Sequence, residues 1–417
     1  MKYVILHGDG IADVSHQDLG GKTPLQAAAT PNLDALARRG EMGRVTIQAD
    51  GLVPNSDVTA MALLGYDPRK SYPGPAPFEA AGMGVMMGKH DVVFRCNMVT
   101  LRSGPAGDKG PAGEVKKLGP SVVMDDATAG GLDQEEAREL IDAINEQVGS
   151  ETIQFYPGSG HRHLMVWVSG KVRAVCVDPN EVVGRSIGES LPTGDGSDIL
   201  KKLMDASLII LRDHPVNDQR REGGLKPVHC VWLWGQGRAP QLLSLAERYQ
   251  VTGSVVSSSD VHRGIGISAG LGAVDRDAVR QTDLPDFQML GDSAVRELEK
   301  KDLVYVHAQV PADLAQESDP KAKLKIVEEF DRKIIGALLD GLGKMGAHRL
   351  ILACDRSFPP GTALGTASSV IYLMAEGPGQ KEHALTRRFS EPEAEAAKTG
   401  VRDATKLISR LLASTHG

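Results

Sequence analysis

Five short apolar runs, one at the start of the chain and four after residue 250, constrain the fold most. "KYVILHG" opens it, and "GSVVSSSD", "DLVYVHAQV", "HRLILACD" and "SVIYLMAEG" follow in its later part. Each is strand-length and closes on glycine or polar residues. Helical segments lie between them, including "TPNLDALARRG" and "DPKAKLKIVEEFDRKIIGALLDG". Strands alternating with helices imply a mostly parallel sheet covered on both faces.

The middle of the chain reads differently. "DVVFRCNMVTL" is an apolar strand, and "DQEEARELIDAINEQVG" is a helix whose Asp133 and Glu136 are spaced as a capping pair. "HRHLMVWVSGKVRAVCVD" reads as a hairpin turning at Ser169-Gly170. An α/β domain spanning 1–90 and 236–417 is therefore expected, interrupted by a smaller α+β domain at 91–235. A chain of 417 residues is in any case long for one compact core.

Composition narrows the partners. Net charge is −7, and no Lys/Arg block departs from that acidic balance, which argues against non-specific nucleic-acid binding. The N-terminal apolar run is too short for a signal peptide, and no run approaches the roughly 20 residues needed to span a bilayer. A cytoplasmic protein is expected. Cys96, Cys176, Cys230 and Cys354 are far apart and form no CxxC pair, so they read as buried reduced thiols.

Ligands of α/β sheets gather beyond the carboxyl ends of the strands. Asp9 follows the first strand, and Asp355 ends "RLILACD" just before Arg356 and a proline turn. Ser56 sits where "PNS" enters the helical "VTAMALLG". There it is either a helix cap or a nucleophile. His161 and His163, two apart on a strand, share a face, and "HPVNDQRR" offers Asn217, Arg220 and Arg221 as donors to an anion.

Taken in order, "GDGIAD", "PNSDVTAMALLGYDP", "PFEAAGMGV", "DVVFRCNMVT", "YPGSGHRHLMV", "DHPVNDQRR", "WLWGQGRAP" and "KAKLKIVEEFD" resemble the cofactor-independent phosphoglycerate mutases of the archaeal-type branch. The "WLWGQGRAP" region is closest to a sub-branch proposed to contain homoserine kinases. The resemblance implies an alkaline phosphatase-like three-layer core and a serine that receives the phosphoryl group. It also implies two Mn²⁺ or Mg²⁺ ions that activate the serine, and a substrate-binding inserted domain. Asp9, Ser56 and Asp355 match expected metal-site positions. Ala312, Gln316, Arg356 and Gly365 stand where further ligands are expected. Arg95, Asn97, Arg162, His163, Asn217, Arg220 and Arg263 match substrate-binding positions.

Two carboxylates about 4 Å apart repel by roughly 4 kcal/mol at an effective dielectric of 20. Arg356 is therefore expected to place its guanidinium between Asp9 and Asp355 in place of a metal. The substitutions imply a member that has lost normal mutase activity, with at most one weakly bound divalent ion. Such a protein would bind a small phosphorylated or carboxylated metabolite, an active relative or a second copy of itself. The alternative is an active phosphoryl-transfer enzyme with Ser56 as nucleophile.

Overall fold

The computed structural model describes residues 1–48, 50–53, 55–104, 115–279, 286–310, 319–356, 368–379, 387–397 and 399–413. The chain divides into two compact units, Met1–Tyr72 with Gln241–Gly417, and Pro73–Pro240. The first boundary thus precedes the expected one at 90. The Pro75–Met83 helix belongs to the second unit because Ala76 and Ala80 bury against Val93, Leu164 and Val166.

The first unit begins with β1 (Lys2–Ala12) and β2 (Glu41–Ile47). The second unit carries β3 (Val92–Ser103), β4 (Val122–Asp126), β5 (Ile153–Ser159), β6 (Arg162–Trp167), the short pair β7 (Ala174–Val175) and β8 (Thr193–Gly194), and β9 (Cys230–Gly237). The chain then returns to the first unit with β10 (Gly253–Val256), β11 (Gly272–Ala273), β12 (Leu303–Gln309), β13 (His348–Arg356) and β14 (Ser368–Gly377).

In the first unit a seven-stranded sheet runs β11-β10-β12-β1-β13-β14-β2. It is parallel as far as β13, and β14 and β2 add an antiparallel edge. Alternation along the strands separates two faces. One face, with Val4, Leu6, Val304, Val306, Leu350 and Leu352, joins Leu33, Leu290, Phe330 and Leu338 in a continuous core. Three helical segments contribute to that core: Pro31–Arg39, Phe287–Lys300, and a run from Pro320 to Met345 containing a π-helical turn at Phe330–Ile335. The Pro31–Arg39 helix ends at Gly40, as its sequence predicts. Gly40 is extended there, not left-handed, and a Cβ would lie 2.6 Å from the Met374 carbonyl oxygen, so close packing requires the glycine.

The second unit is built on a five-stranded antiparallel sheet in which β3 pairs with β4, β6 and β9, and β6 with β5. The expected capping box is present on the Gln134–Val148 helix: Asp133 accepts from the Glu135 and Glu136 amides, both at 2.8 Å, and Glu136 accepts in return. The expected hairpin after β6 does not form. β6 turns back on β5 instead, and β7 pairs with β8. Two glycines let the ends of this unit pass one another. A Cβ on Gly74, which has φ +107°, would meet the Gln236 carbonyl oxygen at 2.6 Å, and one on Gly237 would meet that of Pro73 at 2.0 Å.

Candidate active site

The second face of the large sheet is apolar near its centre and polar at the carboxyl ends of its strands. Parallel register sets His7 of β1 beside His307 of β12 and Ala353 of β13. Two residues further on, the same face presents Asp9 and Asp355, and two residues earlier on β12 lies Tyr305. Gly10, left-handed at φ +75°, lies within the β1 irregularity between Gly8 and Ala12, and its amide donates to Asp355 Oδ1 at 3.1 Å. The helices Ser56–Leu63 and Asp260–Ser268 pack against each other and against the strands of this sheet.

Each acid has an imidazole partner. His7 Nε2 lies 3.1 Å from Asp355 Oδ2, and His307 Nε2 lies 3.2 Å from Asp9 Oδ2. The other ring nitrogens meet hydroxyls: His7 Nδ1 with Tyr305 at 3.2 Å and His307 Nδ1 with Ser257 at 3.1 Å. Ser257 in turn accepts from the Ser259 amide. Burial lowers His307 well below its ordinary pKa, with His7 adding repulsion, so it is a neutral imidazole. Its Nε2–H then donates to Asp9, and its Nδ1 accepts from Ser257. Burial alone would also lower His7, but Asp355, with Asp9 and Asp57 behind it, outweighs burial and raises its pKa. Burial raises both Asp9 and Asp355, offset for Asp9 by His7 and by a hydrogen bond from Ser56.

Ser56 is not the cap of its helix. Asn55 takes that role, its Oδ1 accepting from the Val58 amide at 2.9 Å. Ser56 is the first helical residue, and its hydroxyl is turned to Asp9 at the positive end of the helix dipole.

Arg356 is not among these groups. It is the exposed last residue of β13, and among the described residues it forms no ion pair with Asp9 or Asp355. The strand alternation that turns Asp355 inward turns its neighbour outward, and it is His7, not the guanidinium, that pairs with Asp355. Arg263 lies on the Asp260–Ser268 helix, buried, with Nη1 on the Val274 carbonyl at 2.7 Å.

In the second unit the expected binding residues separate. Arg95 donates to Glu79 at 2.6 Å and lies over the Trp234 ring, and Trp234 donates to Asn97 at 3.0 Å. Arg162 is exposed opposite Asn97, while His163 pairs with Cys96 and is buried on the other face of the sheet. Asn217 and Arg220 are structural. Asn217 spends its amide on the Leu211 and Val228 carbonyls and accepts from the Val228 amide. Arg220 is held by the Lys226, Ala129 and Gly131 carbonyls and by Glu136. With their donors consumed internally, neither is available to a ligand.

The two divalent ions implied by the resemblance do not fit this donor set. Ala312 and Gly365 carry no side-chain ligand atom; with Gln316 they lie outside the described residues. Arg356 is a cation, and Asp9 and Asp355 already carry imidazole partners. The grouping of His7, His262 and His307, with Ser257 and Ser259 beside them, has no counterpart among the sequence expectations, because none of these histidines stands at helical HxxxH spacing from another. The signal lay in polar residues two apart at strand ends, "HGD" in β1 and "YVH" in β12.

Residues 37–217 match the family of 2,3-bisphosphoglycerate-independent phosphoglycerate mutases. A protein of Geobacter sulfurreducens named as a probable mutase of this kind is 39% identical, covering 99% of this chain and 100% of that protein. A mutase of Methanothrix thermoacetophila is 37% identical over 86% of each chain. Among solved structures, a Pyrococcus horikoshii protein has TM-score 0.76 at 23% identity, covering 100% of this chain and 99% of its own. The cofactor-independent phosphoglycerate mutase of Thermoplasma acidophilum has TM-score 0.61 at 24% identity, covering 99% of this chain and all of its own. These two likenesses show the fold. The expectation of a member without mutase activity is corrected by the relatives, which are named as mutases along nearly the whole length of this chain. No helix among the described residues is long and apolar enough to cross a membrane.

Proposed function

Because the chain belongs to the 2,3-bisphosphoglycerate-independent phosphoglycerate mutase family, we propose that it moves a phosphoryl group between the 3- and 2-oxygens of a phosphorylated glycerate, with Ser56 as the relay. The observation that carries this reading is the Ser56 hydroxyl, freed from capping by Asn55 and bonded to Asp9.

The Ser56 oxygen attacks phosphorus as the bond to the substrate's 3-oxygen breaks. The 2-oxygen later displaces the serine and restores its hydroxyl. Asp9, whose pKa is raised by burial, takes the serine proton and gives it to the departing 3-oxygen. It then takes the proton of the attacking 2-hydroxyl and returns it to Ser56, while His307 fixes the orientation of its carboxylate. The helix N-terminus favours the charge that develops on the transferred group. The finer kinship, an alkaline phosphatase-like core with a link to the homoserine kinase sub-branch, rests on the order of the motifs.

The test is mutase turnover of 3-phosphoglycerate by the full chain, together with mass-spectrometric trapping of phosphoserine at Ser56. Turnover lost in Ser56→Ala supports the assignment. Equal turnover in that variant overturns it.

A further inference from the structure

We infer that the second unit carries a binding site for a basic α-amino acid, a molecule with one carboxylate and two cationic groups, in a cavity lined by Glu181, Arg185 and Glu189. The site shares no residue with the phosphoryl-transfer reading above and stands or falls apart from it.

The cavity has a volume of about 620 Å³, within the roughly 300–1,000 Å³ of small-molecule sites. Its lining comes from Pro120 and the stretch 177–190 alone. That stretch is fixed along the outer edge of β4. The Gly184 amide donates to the Met124 carbonyl at 2.8 Å, the Met124 amide to the Arg185 carbonyl at 3.1 Å, and the Ile187 amide to the Val122 carbonyl at 2.9 Å. Ser186 Oγ donates to the Pro120 carbonyl at 2.7 Å and accepts from the Gly188 amide at 3.3 Å. A Cβ on Gly188 would meet Pro120 Cα at 2.9 Å, so glycine lets the two walls close up. The Val177 carbonyl accepts from the buried Trp232 indole at 2.8 Å, which ties the floor to the core of the unit. Walls held this way need little reordering to receive a ligand.

Pro120, Val177 and Val182 supply the apolar part of the lining. Glu181, Arg185 and Glu189 are exposed and recur at intervals of four residues. Opposite charges at such spacing pair elsewhere in this protein, as Arg221 does with Asp218 and Lys333 with Glu329. Here they do not: among the described residues none of these three side chains forms an ion pair or a hydrogen bond.

Two carboxylates and one guanidinium give the lining a net charge of −1. The complementary small molecule is +1 overall and carries a single carboxylate, which describes lysine and arginine. The guanidinium takes the ligand's carboxylate through paired N–H donors. Glu181 and Glu189 take the α-ammonium and the side-chain cation, and the methylenes between them lie on Val177, Val182 and Pro120. A neutral apolar amino acid leaves one acid unmatched, and a diamine without a carboxylate leaves Arg185 unmatched.

The test is isothermal titration calorimetry of the full chain with L-lysine, L-arginine, L-leucine and cadaverine. One lysine or arginine per chain is expected, with leucine and cadaverine at least about tenfold weaker. Arg185→Gln and Glu181→Gln alter exposed side chains, and melting curves check that both variants fold. Arg185→Gln should weaken lysine about tenfold and leave cadaverine unchanged, whereas Glu181→Gln should weaken both. Ser56→Ala should bind lysine as the wild type does, which separates this site from the mutase reading. No binding of lysine or arginine at about 10 mM overturns the inference, as does leucine or cadaverine binding as well as lysine. Unchanged lysine affinity in a folded Arg185→Gln protein overturns it too.

Discussion

His7 and Asp355 form a fully buried pair at 3.1 Å, at the point where β1 and β13 end side by side. Removing one member leaves the other without its partner in a low-dielectric site. Asp355→Asn should therefore destabilise the protein by about 3–5 kcal/mol, measured by urea denaturation. A loss under about 1 kcal/mol would show that the pair carries no such weight.

Asn55 and Ser56 are neighbours with separable tasks. Asn55→Ala removes the cap and should cost about 1 kcal/mol of stability with the serine intact. Ser56→Ala should leave the melting temperature nearly unchanged while lowering kcat by about 10⁴-fold or more. Paired melting and turnover measurements on the two variants separate cap from nucleophile.

Arg356 and Arg220 should behave in opposite ways. Arg356 is exposed and turned away from Asp9 and Asp355, so Arg356→Ala should shift stability by no more than about 0.5 kcal/mol and leave kcat/KM nearly unchanged. Arg220 braces four acceptors, so Arg220→Ala should cost about 3–5 kcal/mol, with KM unchanged in the protein that remains folded. A rise in KM for Arg220→Ala at normal stability would restore it to the binding residues.

Acid should loosen the second unit. Burial pushes His161 and His229 down to about 4 and His163 down to about 3, with neighbouring positive groups adding to the effect. The folded unit thus favours neutral imidazoles. Their contribution is complete above the ordinary value of 6.5 and is lost progressively as pH falls towards 4. Each histidine supplies a slope of about 1.4 kcal/mol per pH unit in that window. Trp167, Trp232 and Trp234 are the only tryptophans and all lie in this unit, so their fluorescence reports its unfolding selectively. A melting temperature that stays level from neutrality down to pH 5 would refute the assignment.

Much of this was legible in the chain. The alternation of apolar runs and helices gives the large sheet, and the Asp133–Glu136 spacing gives the capping box of the second unit. Asp9 and Asp355 declare themselves at strand ends. What escaped depends on register. Whether His7 meets His307 is decided by how β1 and β12 align, and no local signal carries that. The outward turn of Arg356 follows from strand alternation alone, which overrides the charge compensation that its position beside Asp355 suggests. Asn217 and Arg220 look like ligand donors in sequence because burial and internal carbonyls are tertiary facts.

The near-contact of Gly74 with Gln236 and of Gly237 with Pro73 bears on how the protein assembles. β1 must find β12 and β13 across a long stretch of chain, at an entropic cost that grows with the logarithm of the intervening length. Once the inserted unit has folded, its entrance and exit are held together. The search left to the large sheet is then that of a much shorter chain, so early folding of the insertion acts as an internal clamp that speeds closure of the domain it interrupts.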